Sequence, residues 1–389
     1  MKLIYIHQYF NTNSSSTRSY ELSKFLVSKG HEVTMITGSR IRKKTVDGIN
    51  IKSTQTAYSN NFSFLKRVFA FIHFMISSTI LGLKEKDSDI VFATSTPITV
   101  GVPGLIISKI KRKKFVFEVR DVWPDIPIEL GFIRSKILRK ALYFLEKIIY
   151  KNADHIIVLS EGMKERLIKK GVPSKKMSVI TNLSANKIYD SLPKSGNPII
   201  EKYAEKLVCI HPGTMGFVNG LDFILDIAQS HPDKDIVYLL IGEGNQKRAL
   251  IERVHKNNIN NVIIMDAVPK DEITEIINQS DVGIVTVSNY DILKDNSANK
   301  FFDFLAAGKP ILLNYEGWQK KVLEENEAGK GFKYSQKDDF FNFLVKLKND
   351  KKLLQTYGEN AKKLAVDRYD SQKQAEKLES IVLNTINNN

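Results

Sequence analysis

Short β-branched runs alternate with amphipathic stretches along almost the entire chain, and this alternation limits the possible folds more than any other feature. It is the pattern of parallel strands joined by crossover helices. The first series of runs reads KLIYIH, HEVTMIT, DIVFAT, KFVFEVRD, HIIVLS and MSVITN. Between them lie helical candidates such as TRSYELSKFLVSKG, whose Leu22, Phe25 and Leu26 share a face, and SKILRKALYFLEKIIYKN. The series stops after Asn182 at a polar stretch, LSANKIYDSLPKSGNP, which reads as a linker. A second series follows: KLVCIHPG, DIVYLLIGEG, NVIIMDAV, VGIVTVS and KPILLNYE. From Asp339 onward the pattern is continuously helical, and the last stretch, with no strand after it, must pack on something already built. With 389 residues the chain also exceeds what one core organises. The expectation is two doubly wound α/β domains, 1–185 and 201–370, a linker at 186–200, and a terminal helix over 371–389.

Charge is unevenly spread. Residues 1–196 carry a net +18 and residues 197–389 a net −3. Such asymmetry fits an anionic partner for the first half (nucleic acid, an acidic membrane or a phosphorylated substrate), although charge alone also fits simple solubility. The single Cys209 cannot form an internal disulfide, and no Cys/His cluster has zinc spacing, which suits a reducing cytoplasm. The opening MKLIYIHQYF reads as a first strand, not a signal peptide. The most apolar stretch, residues 62–83, is interrupted by Lys66, Arg67 and His73. It is expected to be a buried crossover helix, with a lipid-dipping helix as the alternative.

The strongest local signal is DNSANKFFDFLAAGKPIL. Asp295 and Asp303 are eight positions apart across a loop and a helix start, and Gly308-Lys309-Pro310 stops the helix. Backbone amides at Asn296, Ser297 and Ala298 could cradle a phosphate, Lys300 could add a point charge, and Asp303 could accept hydrogen bonds from a ribose diol. Plain helix capping by the same residue types is the competing reading.

This layout resembles the retaining GT-B glycosyltransferases of family 4, whose second domain carries Glu, seven residues, Glu, then a small-residue helix and Gly-x-Pro. Here Asp stands at both ends, one methylene shorter. The resemblance implies two Rossmann-like domains facing across a cleft, with the terminal helix returning to the first. It implies that Asp303 holds the donor ribose, while Asp295 with its neighbours faces the sugar. HPGTMGFVNG resembles the first donor-domain loop, in which Gly213 and Gly216 admit a diphosphate. Where many relatives have Arg and Lys, this chain has Thr214 or Met215, and Asn219. Diphosphate charge must then be met by Lys300, Lys247 and Arg248. IGEGNQKRAL, with Gly242 and Gly244, resembles the second glycine turn, and DAVPKDE the base-lining segment at Val268.

In the first half, HQYFNTNSSSTRSY resembles the family's opening, with Ser14, Ser15 and Ser16 in place of glycines, and His7 and Arg18 toward the acceptor or phosphate. FEVRDVWPD resembles capsule and O-antigen transferases, including those adding N-acetylfucosamine-type sugars. By that likeness Arg120 and Asp121 are catalytic and Trp123 shapes the acceptor side.

The expected reaction is retaining transfer from a UDP-sugar to an undecaprenyl-linked saccharide, with no cofactor and no metal, at the inner face of the cell membrane. Basic groups at Arg42-Lys43-Lys44, Lys66-Arg67, Lys111 to Lys114 and Arg139-Lys140, with Phe62, Phe64 and Phe69, would meet the anionic leaflet. The rivals are a nucleotide-sugar epimerase or soluble small-acceptor transferase of the same fold, a nucleic-acid-binding protein, and a dehydrogenase. The nucleic-acid reading lacks a recognition motif. The dehydrogenase lacks a glycine fingerprint after its first strand.

Overall fold

Runs such as Ile90–Thr94 and Ile236–Ile241, apolar at nearly every position, cannot turn one face to water, and every residue in both is buried. The computed structural model describes residues 1–10, 18–56 and 62–387. It divides the chain into one unit of Met1–Thr181 with Gln372–Asn389 and a second of Asn182–Ser371.

The first unit runs β1 (Lys2–His7), α1 (Arg18–Ser28), β2 (Glu32–Thr37), β3 (Thr45–Val46), β4 (Ile49–Ser53), α2 (Phe64–Lys84) and β5 (Ile90–Thr94). It continues with α3 (Gly101–Lys111), β6 (Lys114–Val119), α4 (Asp125–Glu129), α5 (Lys136–Asn152), β7 (His155–Val158), α6 (Glu161–Lys169) and β8 (Met177–Val179). The sheet order is β3-β4-β2-β1-β5-β6-β7-β8, parallel except for the β3–β4 hairpin. Register aligns Ile6 with Ile36 and Ala93, so the carboxyl ends of the central strands share one edge. Ile4, Ile6, Val91, Ala93, Phe117 and Ile156 form one apolar face under Phe74, Ile107 and Ile149. Burial of each Val, Ile or Phe side chain here contributes about 1.5–3 kcal/mol.

The second unit contains α7 (Asn186–Asp190), α8 (Pro198–Glu201), β9 (Leu207–Pro212), α9 (Asp222–Ser230), β10 (Ile236–Ile241), α10 (Lys247–Lys256), β11 (Val262–Met265) and α11 (Lys270–Gln279). Then come β12 (Val282–Val285), α12 (Asn299–Ala306), β13 (Ile311–Leu313), α13 (Trp318–Glu325), β14 (Gly329–Gly331), α14 (Lys337–Asn349) and α15 (Lys351–Arg368). Its sheet is β11-β10-β9-β12-β13-β14, all parallel. The last helix, α16 (Ser371–Asn387), groups from Gln372 onward with the first unit. There Lys377 donates to the Val179 carbonyl at 2.7 Å, and Glu379 meets His31 at 2.6 Å.

Two expectations change. Residues 186–200 are no bare linker: they carry α7 and α8 within the second unit, where Ser184 N–H donates to the Tyr369 carbonyl and Asn197 N–H to Gln279 Oε1, both at 2.8 Å. The expected buried helix over 62–83 does cross from β4 to β5 as α2, but only 22% of its most apolar window is buried. Ala70, Phe74, Ser78 and Gly82 face the sheet, and the opposite face is exposed.

Candidate active site

In the second unit the candidate site lies at the carboxyl ends of the strands, where loop amides and helix amino termini gather. A 3-10 turn, Asp291–Asp295, leads into α12 and leaves Asp295 half-buried. The connecting loop is braced from two sides: Trp318 Nε1 donates to the Asn296 carbonyl at 2.9 Å, and Asn182 Nδ2 to the Ser297 carbonyl at 2.6 Å. This corrects the expected phosphate cradle. The Asn296 N–H bonds the Leu293 carbonyl and the Ala298 N–H bonds Asn296 Oδ1, so two of the three amides are engaged internally. What faces outward instead is the start of α12, which has no side-chain cap.

Lys300, in the first turn of α12, reaches back to β9. Its Nζ lies 2.6 Å from Nε2 of the buried His211 and close over Gly213, where an added Cβ would stand 3.6 Å from it. Burial pulls the Lys300 pKa down to about 7. His211 is held well below the usual histidine value by burial and then by the Lys300 charge, so it stays neutral and accepts from the ammonium. Both oxygens of the half-buried Asp303, on the second turn of α12, lie 3.4 Å from Lys270 Nζ at the start of α11. Its charge, after burial, also raises the Tyr189 hydroxyl.

The glycines of the second loop, Gly242 and Gly244, serve the packing of the two glycine loops on each other. Gly213 N–H bonds the Ile241 carbonyl, and Met215 N–H the Glu243 carbonyl, both at 2.8 Å, so the loops after β9 and β10 run backbone to backbone. A Cβ on Gly242 would stand 1.8 Å from the Gly213 carbonyl oxygen, and one on Gly244 would stand 2.2 Å from that of Met215. These two glycines therefore permit loop contact. Gly213 and Thr214 are exposed and Gly216 half-buried, while the Met215 side chain belongs to the core. The Asn219 carbonyl accepts from Thr286 Oγ1 at 2.6 Å, and Val268 is half-buried between β11 and α11. Lys247 and Arg248 have other partners: Lys247 meets Glu243 at 2.6 Å and also Asp266, and the 92% exposed Arg248 side chain pairs with Glu252 along α10.

In the first unit a second cluster forms at the carboxyl edge. Glu118, fully buried in β6, accepts from Arg18 Nε at 2.9 Å, Arg18 NH2 at 2.8 Å and Thr94 Oγ1 at 2.6 Å. Burial alone would push its carboxyl up, but Arg18, Arg120 and Thr94 together hold it below the ordinary value. Arg18 also donates to the Ile180 carbonyl at 3.0 Å and to that of Thr181. The sequence places Arg18 toward a phosphate or acceptor; its side chain is only 2% exposed and is used inside the unit.

Arg120 is half-buried, its backbone N–H bonds Ser95 Oγ at 2.9 Å, and NH1 lies 3.4 Å from His7 Nε2. His7, 2.8 Å from Ser19 Oγ through Nδ1, is kept neutral by burial and then by the Arg120 charge. Burial raises Asp121 against the opposing pull of Arg120 and Thr96. Trp123 packs partly buried against the core. Ser14, Ser15 and Ser16 lie outside the described residues. Sequence reasoning missed His211, Lys270 and Glu118. The available signals were a polar residue at the end of an apolar strand, a lysine opening a helix, and a lone acid inside a strand.

Two family models match in tandem. Residues 15–183 match Glycosyltransferase Family 4 and residues 197–364 match Glycosyl transferases group 1. The chain is a GT-B glycosyltransferase, a family 4 domain followed by a group 1 domain. The transferase is 24% identical over 318 residues to an uncharacterized glycosyltransferase of Methanocaldococcus jannaschii, covering 79% of this chain and 78% of that one. It is 20% identical over 290 residues to an Escherichia coli protein, WcaI, whose name places it in colanic acid biosynthesis, covering 68% of this chain and 71% of that one. Among solved structures it resembles Anabaena HepE in complex with UDP and glucose, with a TM-score of 0.74, 15% identity, and 99% and 100% of the two chains covered.

Proposed function

We propose that this transferase moves a sugar from a UDP-sugar onto an undecaprenyl-linked saccharide during synthesis of a bacterial surface polysaccharide, of capsule or O-antigen type. The observation that carries the reading is Lys300, set over the exposed Gly213 loop beside the uncapped start of α12, with Asp303 one turn further along. A cation and free helix amides suit a diphosphate, and a carboxylate suits a ribose diol. The Anabaena relative crystallised with UDP and glucose supports the donor, and the colanic acid relative supports the setting. The transferred sugar is proposed to be an N-acetylated hexosamine or deoxyhexosamine.

In this reaction the bond from the anomeric carbon to the diphosphate oxygen breaks as the acceptor hydroxyl bonds the same face of that carbon, so configuration is retained. The hydroxyl proton passes to an oxygen of the departing diphosphate. The protein's contribution is charge and alignment: in the second unit Lys300 and the α12 amides meet the charge that develops on UDP, and in the first unit Arg120 and Asp121 are assigned to the acceptor. No metal is part of the scheme. Incubation with a panel of UDP-sugars and a short undecaprenyl-phosphate-linked saccharide tests it by product mass. A gain of one sugar with release of UDP supports the proposal; no gain with any donor refutes it.

A further inference from the structure

The outer face of α2 is largely apolar, with Lys66 and His73 also exposed on this helix. Leu65, Phe69, Ile72, Ile76 and Ile80 recur at helical spacing opposite Phe74 and Ser78, and all five are exposed, Phe69 by 71%. The face continues onto neighbouring helices. Gly82 of α2 sits against Ile107 of α3, and Gly101 of α3 against Ile149 of α5. On these helices Ile106, Ile110, Ile137 and Phe144 are also exposed, Ile137 by 83%. A soluble helix layer would carry polar residues in these places.

The exposed charges carried by these three helices have one sign. Neither α2 nor α3 contains an acid, and the only one in α5, Glu146, is buried and paired with Lys170 at 2.6 Å. Lys84, Lys109, Lys136, Lys140 and Lys147 are exposed on the same three helices. The exposed Asp87 and Asp89 lie past the far end of α2, before β5. A second copy docking face to face would set lysine against lysine with no acid between them, so charge complementarity selects an anionic partner.

We propose that the outer face of α2, α3 and α5 lies flat in the headgroup region of an anionic bilayer, its apolar side chains inserted and its lysines on the phosphates. Helices that cross between parallel strands begin at the carboxyl edge of the sheet, so the α2 and α5 tips carrying Leu65, Phe69 and Ile137 lie toward the edge that holds Arg120 and Asp121. A lipid-linked acceptor would meet the site from that side. Phe74 and Ser78, buried against the sheet, keep α2 within the fold, so it lies along the membrane and does not cross it. The inference deepens the lipid-linked reading of the acceptor and rests on it.

The test uses the full chain with vesicles alone, without donor or acceptor. The protein should sediment with phosphatidylglycerol-containing vesicles and not with pure phosphatidylcholine, and part of the binding should survive high salt. Leu65→Ser/Phe69→Ser/Ile76→Ser, all at exposed positions and checked for an unchanged melting curve, should lower partitioning by roughly tenfold or more. Because Cys209 is buried, a polarity-sensitive dye can be placed on Ile76→Cys and, as a control on α1, on Lys24→Cys. The dye at 76 should shift to the blue with anionic vesicles, and that at 24 should not. Equal response at both sites, sedimentation unaffected by the triple substitution, or a dimer in solution that this variant dissociates would each overturn the proposal. Docking without any sugar transfer would refute the proposed function alone; transfer to the undecaprenyl-linked saccharide in detergent without docking to vesicles would refute this surface alone.

Discussion

The ammonium of Lys300 lies 2.6 Å from Nε2 of His211, bridging the first turn of α12 and the carboxyl end of β9. Burial sets the lysine near a pKa of about 7, so its charge is poised to respond to a ligand. A diphosphate favours the protonated form and raises that pKa on binding. UDP should therefore bind most tightly below about pH 7 and progressively less tightly as pH rises through it, by linkage. Lys300→Ala should weaken binding and flatten this dependence. Calorimetric titrations at several pH values check both; an equally steep profile in the variant would remove Lys300 from the site. The unliganded protein should show the opposite trend in stability. The unfolded chain holds this proton more tightly, so the lysine's contribution to stability rises with pH between about 7 and the ordinary lysine value.

Asp303 is held by Lys270 and lies beside Tyr189. If it accepts from the ribose diol, Asp303→Ala should weaken UDP binding by about 1.5–3 kcal/mol, the usual worth of a hydrogen bond to a charged group. Asp303→Asn should recover part of the loss. Unchanged UDP affinity in a folded Asp303→Ala protein would rule out the ribose assignment.

Arg18 and Arg120 share a neighbourhood but should fail differently. Arg18→Ala leaves Glu118 buried without its main counter-charge, at a cost of about 3–5 kcal/mol in stability. Arg120→Ala should leave the melting temperature nearly unchanged and lower kcat. Denaturation curves and turnover, measured on both, separate the roles. The Glu118 carboxyl is held below its unfolded value, so its contribution to stability is present above the ordinary glutamate pKa and lost as pH falls through the lowered one.

Gly242→Ala tests the loop contact. The new Cβ would meet the Gly213 carbonyl oxygen at 1.8 Å, and relieving that clash should cost about 1–3 kcal/mol of stability. Chemical denaturation showing no loss would mean that the two loops are free to part.

The fold was legible because parallel strands buried on both faces leave apolar runs, and the runs read from the sequence contain eleven of the observed strands. Those missed have physical reasons. β14 is Gly-Lys-Gly, with no apolar signature, and β3 is two residues long. The hairpin to β4 could have been read from Asp47-Gly48, whose positive φ angles suit a two-residue turn. The outward face of α2 was hidden because an apolar helix looks the same in sequence whether buried on one side or two. Lys300 and Asp303 could be named as candidates from spacing, whereas the groups that lie against them, His211 and Lys270, come from another strand and another helix. Arg18 misled because a cation near the carboxyl edge can serve a ligand or a buried acid, and only the position of Glu118 decides between them.

Hydrogen exchange on the full chain with and without UDP tests most directly where the donor is held. Amides in residues 213–216 and in the 297–303 segment should exchange more slowly when UDP is present, with residues 62–84 unaffected. Protection confined to the first unit, or none in these two segments at saturating UDP, would contradict a donor site built on β9 and α12.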